Sequence, residues 1–144
     1  MSEKLKNTDF DSKAVVAKTD CYEILYQKNK NRIYFTINGF WKSAEVVPDL
    51  LKDILHSTTL VRKGFTLLVN FGNMITHPQQ LNTLHIEVQK LFVEAGLAYG
   101  VYIEPIDKIA NFQVEQTVLA SLIKLERFST LPEAEERLES ISFN

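Results

Sequence analysis

The 144 residues suit one ordinary domain that buries a continuous core without disulfide or metal staples. Sixteen basic and eighteen acidic residues leave a net charge of −2, too balanced a field to draw nucleic acid or an anionic membrane. The single cysteine, Cys21, excludes an internal disulfide and a thiolate zinc site, and it fits a reducing compartment.

No stretch approaches the ~18 apolar residues of a membrane-spanning helix. The polar opening of the chain also lacks the apolar run of a secretory signal. The expected location is the cytoplasm, with no membrane span and no nucleic-acid partner. Residues 1–19 show little apolar periodicity beyond Val15-Val16 and read as a mobile N-terminal arm, in which a short helix or an extra strand stays open. Residues 20–144 read as a single domain.

From Cys21 onward, Tyr22, Ile24 and Tyr26 alternate with Glu23 and Leu25, a period of two in residues that favour strands. A polar break, Lys28-Asn29-Lys30-Asn31, separates them from a second strand over residues 33–37, so the pair reads as an antiparallel hairpin. Asn38-Gly39 ends the hairpin with residues that tolerate positive φ. Val46, Val47, Leu50, Leu51, Ile54 and Leu55 then recur at helical spacing, with Ser43 as a possible cap and Pro48 confined to the edge of the first turn.

Residues 65–71 are apolar on both faces, as a central parallel strand is. Thr76-x-x-Gln79 has the form of a capping box for a second helix, whose stripe holds Leu81, Leu84, His85, Val88, Leu91, Phe92 and Ala95, with Gly96 as its stop. Residues 97–103 form another β-rich run. Asp107 caps a third helix expected to reach about Leu125, with Ala110, Val114, Val118 and Leu122 inward and Phe112, Leu119 and Ile123 alongside. After a short extended piece at residues 126–129, Thr130-x-x-Glu133 is a second capping box, and Ala134, Leu138 and Ile141 give the last helix its inner face. Strands alternating with helices imply crossovers and a mostly parallel sheet.

The hairpin ending in Asn38-Gly39-Phe40-Trp41, the buried strand at residues 65–71 leading through a loop to a capped helix, and Phe128 just before Thr130-Leu131-Pro132-Glu133-Ala134-Glu135 together resemble the SpoIIAA-like, or STAS-like, group (sulphate transporter and anti-sigma-factor antagonist). The resemblance covers residues 21–140. It implies an α/β fold: a mixed, mostly parallel sheet with an N-terminal antiparallel hairpin and about four helices. It also implies a switch or interaction module rather than an enzyme. In anti-sigma-factor antagonists a serine at the start of the helix after the third strand is phosphorylated by a partner kinase, and phosphorylation prevents the partner complex. The matching stretch here, Asn70-Phe71-Gly72-Asn73-Met74-Ile75-Thr76, has no Asp-Ser-Ser or Asp-Ser-Gly, and Thr76 is its only hydroxyl.

Thr76 therefore has two readings, a helix cap that satisfies an orphan N–H and a candidate phosphoacceptor at a positive helix end. His85 lies on an apolar stripe and reads as a neutral core histidine. His77 is expected to face solvent. Eight residues separate it from His85, about two helical turns, too far along one helix to share an ion. Cys21 reads as a small buried hydrophobe, and Lys28, Lys30 and Arg32 as a solvated hairpin tip.

No phosphate loop, nucleophile elbow or metal-ligand spacing occurs, so no catalytic residue, metal or cofactor is expected. The expected function is a non-catalytic STAS-like interaction or regulatory domain with an unknown protein partner. Its candidate interaction surface is Trp41, Asn73, Met74, Thr76 and His77. The alternative is a small apolar-ligand (lipid) binding protein, suggested by aromatic richness in the central runs. A sheet edge at the hairpin and an exposed Trp41 would also permit a homo-oligomer.

Overall fold

The computed structural model describes residues 12–119 and 123–141. Ten regular elements follow one another: β1 (Ala14–Lys18), β2 (Tyr22–Gln27), β3 (Arg32–Ile37), α1 (Leu50–Leu60), β4 (Thr66–Asn70), α2 (Asn82–Glu94), β5 (Tyr99–Ile103), α3 (Lys108–Leu119), β6 (Leu125–Phe128) and α4 (Leu131–Ser140). The six strands lie side by side in chain order. β1–β2 and β2–β3 are antiparallel, and every pairing from β3 to β6 is parallel. This is the expected mixed sheet with its opening hairpin and four helices.

Strand periodicity sorts the side chains. Ile33, Phe35 and Ile37 of β3 and Leu67 and Val69 of β4 join Leu50, Ile54, Val88, Phe92, Ala110 and Val114, so α1, α2 and α3 cover one face. Tyr34, Leu68, Val101 and Ile103 point the other way and pack on Ala134 and Leu138 of α4. β4 is buried on both faces because it sits between two parallel neighbours with helices above and below.

Several boundaries differ from expectation. Ala14–Lys18, placed within the arm, forms an edge strand on β2, with a bulge between Val15 and Ala17. Residues 1–11 lie outside the described residues. The first helix begins at Leu50, two residues after Pro48, because proline cannot sit deeper in a helix; Ser43 precedes only a 3-10 turn, Ala44–Val46, and makes no side-chain cap. The third helix does not reach Leu125, which already belongs to β6. Leu122, expected on its inner stripe, lies outside the described residues. Phe112, expected beside that stripe, is exposed.

The caps divide in the same way. Asp107 Oδ1 accepts from the Ala110 N–H at 2.9 Å, and the Thr130 hydroxyl accepts from the Glu133 N–H while bonding its carboxylate at 2.8 Å. The Thr76-x-x-Gln79 box does not form. Pro78 is extended at φ −59°, ψ 148°, a 3-10 turn follows at Gln79–Leu81, and α2 starts at Asn82 without a side-chain cap. Thr130→Ala is therefore expected to cost about 1 kcal/mol in urea unfolding. Thr76→Ala should stay within ~0.5 kcal/mol; equal losses for the two would contradict the cap assignment.

Candidate functional site

The loops leaving the C-terminal ends of β3 and β4 are stitched together. Gly39 takes φ 70°, open to glycine, and turns the chain beside the β4 loop. Its N–H donates to Asn73 O at 2.9 Å, and its carbonyl accepts from the Ile75 N–H at 3.0 Å, flanking a parallel bridge to Met74. The residues after Gly39 then part: Phe40 points outward, and Trp41 is fully buried. Trp41 Nε1 donates to the carbonyls of Cys21 and Asn38, both at 3.1 Å, so the indole fastens the start of β2 to the end of β3.

Two histidines lie over this indole. The Trp41 ring is stacked with His77 at 4.7 Å between centroids and with His85 at 5.7 Å, and the two imidazoles are within 9° of parallel. His77 Nδ1 and His85 Nε2 are 3.3 Å apart, and His77 Nε2 is 3.2 Å from Gly39 O. A carbonyl only accepts, so His77 carries its proton on Nε2 and donates it to Gly39. Nδ1 is then the acceptor, and His85 donates from Nε2. This arrangement has both rings neutral. Burial pushes the His77 pKa below its ordinary value, against the pull of the Gly39 hydrogen bond. Burial, aided by His77, holds His85 down at about 4.

Two expectations are corrected here. His77 does not face solvent; it is buried. The two-turn separation from His85 does not apply either, because His77 lies in the extended segment before α2 and folds back onto the helix. Two nitrogens bonded to each other are not a metal site, and among the described residues no group of three or more His, Cys, Asp or Glu side chains is placed to hold an ion. Cys21 is a free, half-buried thiol packed at the core margin.

Of the five residues expected to form an interaction surface, Trp41, Met74 and His77 are buried and make the scaffold, Asn73 is exposed, and Thr76 is half-buried. The structure does bring the five together, as an inner layer with a different outer layer. Ile106 donates its N–H to Gly72 O at 3.1 Å, and Gln113 of α3 bonds the backbone of His77 in both directions, so the β5–α3 connection is tied to the same loop. These joined segments carry exposed apolar side chains. Phe40 and Ile75 are about half exposed, and Ile106, Ile109 and Phe112 are 84%, 69% and 65% exposed. Sequence reasoning passed over Ile106 and Ile109 and set Phe112 beside the inner stripe of the third helix. Ile106 stood as a lone apolar residue between Pro105 and the cap Asp107, the one local hint of an outward role.

No family model matches the chain, and no curated protein matches it. Solved structures do. Two structures of SiaC from Pseudomonas aeruginosa superpose with TM-scores of 0.51, at 10% and 9% identity, each over 81% of this chain and 98% and 99% of the neighbour. An uncharacterised protein from Shewanella loihica, described as having a SpoIIAA-like fold, matches with a TM-score of 0.47 at 12% identity, over 88% of this chain and 92% of its own. The fold is SpoIIAA-like. At these identities the likeness to the two SiaC structures is one of fold alone. No helix among the described residues is long and apolar enough to cross a membrane.

Proposed function

We propose that this chain is a non-catalytic protein-interaction domain that captures a partner at the C-terminal edge of its parallel strands. The observation that carries this reading is the set of exposed apolar side chains, Phe40, Ile75, Ile106, Ile109 and Phe112, on segments bonded to one another around a rigid buried scaffold. Apolar residues gathered in this way on a small domain mark contact sites more often than scattered single ones do. The Trp41–His77–His85 stack beneath them holds the loop in one shape, so little ordering is left for binding to oppose.

Thr76 is half-buried at the rim of this surface. Its hydroxyl is released from the capping role, so phosphorylation there would place about two negative charges beside Ile75 and weaken an apolar contact. The apolar-ligand alternative has less support. The cavity between the sheet, α2 and α3 is about 70 Å³, whereas pockets that enclose a drug-sized apolar ligand start near ~300 Å³.

Ile106→Glu combined with Phe112→Glu tests the reading, because both side chains are exposed and the fold should survive. The double variant is expected to keep its thermal midpoint and to lose a partner that the unaltered chain retains in affinity capture from its source cells. Identical captured sets would sink the proposal.

A further inference from the structure

The hairpin tip carries Lys28, Lys30 and Arg32, a spacing that suits a solvated turn, and Arg32 departs from it: its side chain is only 5% exposed. Arg32 opens β3 and faces the α4 side of the sheet, opposite Thr66 in the parallel register. Its Nε donates to Thr66 Oγ1 at 3.1 Å, and its Nη1 donates to Tyr34 OH at 3.2 Å and to Glu139 Oε1 at 3.3 Å. Among the described residues these bonds take up Nε and Nη1, so Nη2 is the part of the fork left for another acceptor. Glu139 is shared with Lys30, to which it is also hydrogen-bonded.

A second element is built against this arginine. Asn31 sits in the left-handed region at φ 51° and clamps the turn after α1. Its Nδ2 donates to Arg62 O at 3.1 Å, and its Oδ1 accepts from the Arg62 N–H at 2.8 Å. The clamp holds Arg62 and Lys63 on the rim of a polar pocket of about 260 Å³ whose floor is Arg32 and Thr66. Four cations and one carboxylate line it. The one carboxylate, Glu139, is divided between Lys30 and Arg32, and a nearly buried arginine is costly without full compensation. The chain's overall charge of −2 makes this local excess the more distinct.

We propose that this pocket, at the opposite end of the sheet from the apolar surface, binds a phosphate-bearing small molecule whose phosphoryl oxygens are held by Arg32, Lys30 and the Arg62–Lys63 rim. A planar guanidinium with fixed donors suits phosphate oxygens, and lysines supply mobile point charge around it. The excess of positive charge favours a dianion over a single carboxylate.

The test is calorimetry on the full chain with inorganic phosphate and pyrophosphate at constant ionic strength, beside sedimentation with vesicles containing phosphatidic acid. Saturable binding of pyrophosphate is expected, with a rise in thermal midpoint. Arg62→Ala with Lys63→Ala, both exposed and outside the core, should weaken it by about tenfold or more. Glu139→Gln should tighten it several-fold, because it removes the carboxylate that competes for Arg32 and Lys30. A purely structural cluster would instead lose stability in Glu139→Gln and gain no anion affinity. The proposal is overturned if neither the unaltered chain nor Glu139→Gln binds the soluble phosphates, if binding ignores the rim variant, or if only the vesicles are bound.

Discussion

Trp41→Ala is expected to lower the unfolding free energy by about 3–5 kcal/mol, a large part of the ~5–15 kcal/mol that holds a domain together. The indole is wholly buried, makes an edge contact with Tyr22, and stacks with both histidines. Its removal would leave a cavity where β2, β3 and α2 meet. It would also leave Asn38 O without its indole donor, whereas Cys21 O keeps the Asn38 N–H at 2.9 Å. Trp41→Phe retains most of the packing and should cost about 1–2 kcal/mol, the loss set by the missing N–H. Both variants lack the chain's only tryptophan, so urea unfolding followed by circular dichroism is the measurement. A loss below ~1 kcal/mol for the alanine variant would show that the loop does not depend on the indole.

The sheet was legible because its signals are local. Tyr22, Ile24, Ile33, Phe35 and Ile37 alternate with period two, and the run at residues 65–71 is interrupted only by Thr66 and Asn70, so both hairpin and central strand could be read from spacing alone. Asp107 and Thr130 announced their helices because a cap acts within three residues. The candidate site was less legible because its contacts cross elements. The sequence groups Trp41, Asn73, Met74, Thr76 and His77 as one candidate surface, but which of them turn inward depends on the Gly39–Met74 bridge, a pairing between separate loops. The His77–His85 contact followed from Pro78, which keeps His77 extended and delays α2 to Asn82; a helix begun at Thr76 would have put the rings two turns apart. Arg32 was misread for a similar reason. Its burial comes from Thr66 and Glu139, 34 and 107 residues away.

Stability should fall as the pH is lowered from about 7 toward 4, with about 3 kcal/mol lost through His85 alone. The sign follows from its depressed pKa. In the unfolded chain an imidazole takes up its proton near pH ~6.5, whereas folded His85 resists until about 4. The unfolded state therefore binds more protons across that interval, and acid favours unfolding. The stabilisation is complete above the unfolded value and is gone once the pH has dropped through the folded one. His77 acts in the same direction, since burial lowers its pKa too. No carboxylate is among the causes of either shift, so nothing in the stack compensates a proton. A first proton on His77 must disturb the neutral pattern, because a charged His77 would present Nδ1–H to His85 and force it to change tautomer; a charged His85 keeps its Nε2–H bond and instead leaves a buried charge uncompensated. Carboxylates titrate mainly below pH ~5, which leaves the interval above that to the histidines, and His56, exposed on α1, serves as the control. Urea unfolding near pH 7, 6 and 5 should show a clear slope for the unaltered chain and for His56→Gln, and a flatter one for His85→Gln, whose amide can still donate to His77. Emission from Trp41, stacked against both rings, should hold steady in the folded chain over that interval and change only as the pH nears about 4. An unchanged slope in His85→Gln would mean that the pair is not what couples this loop to protons.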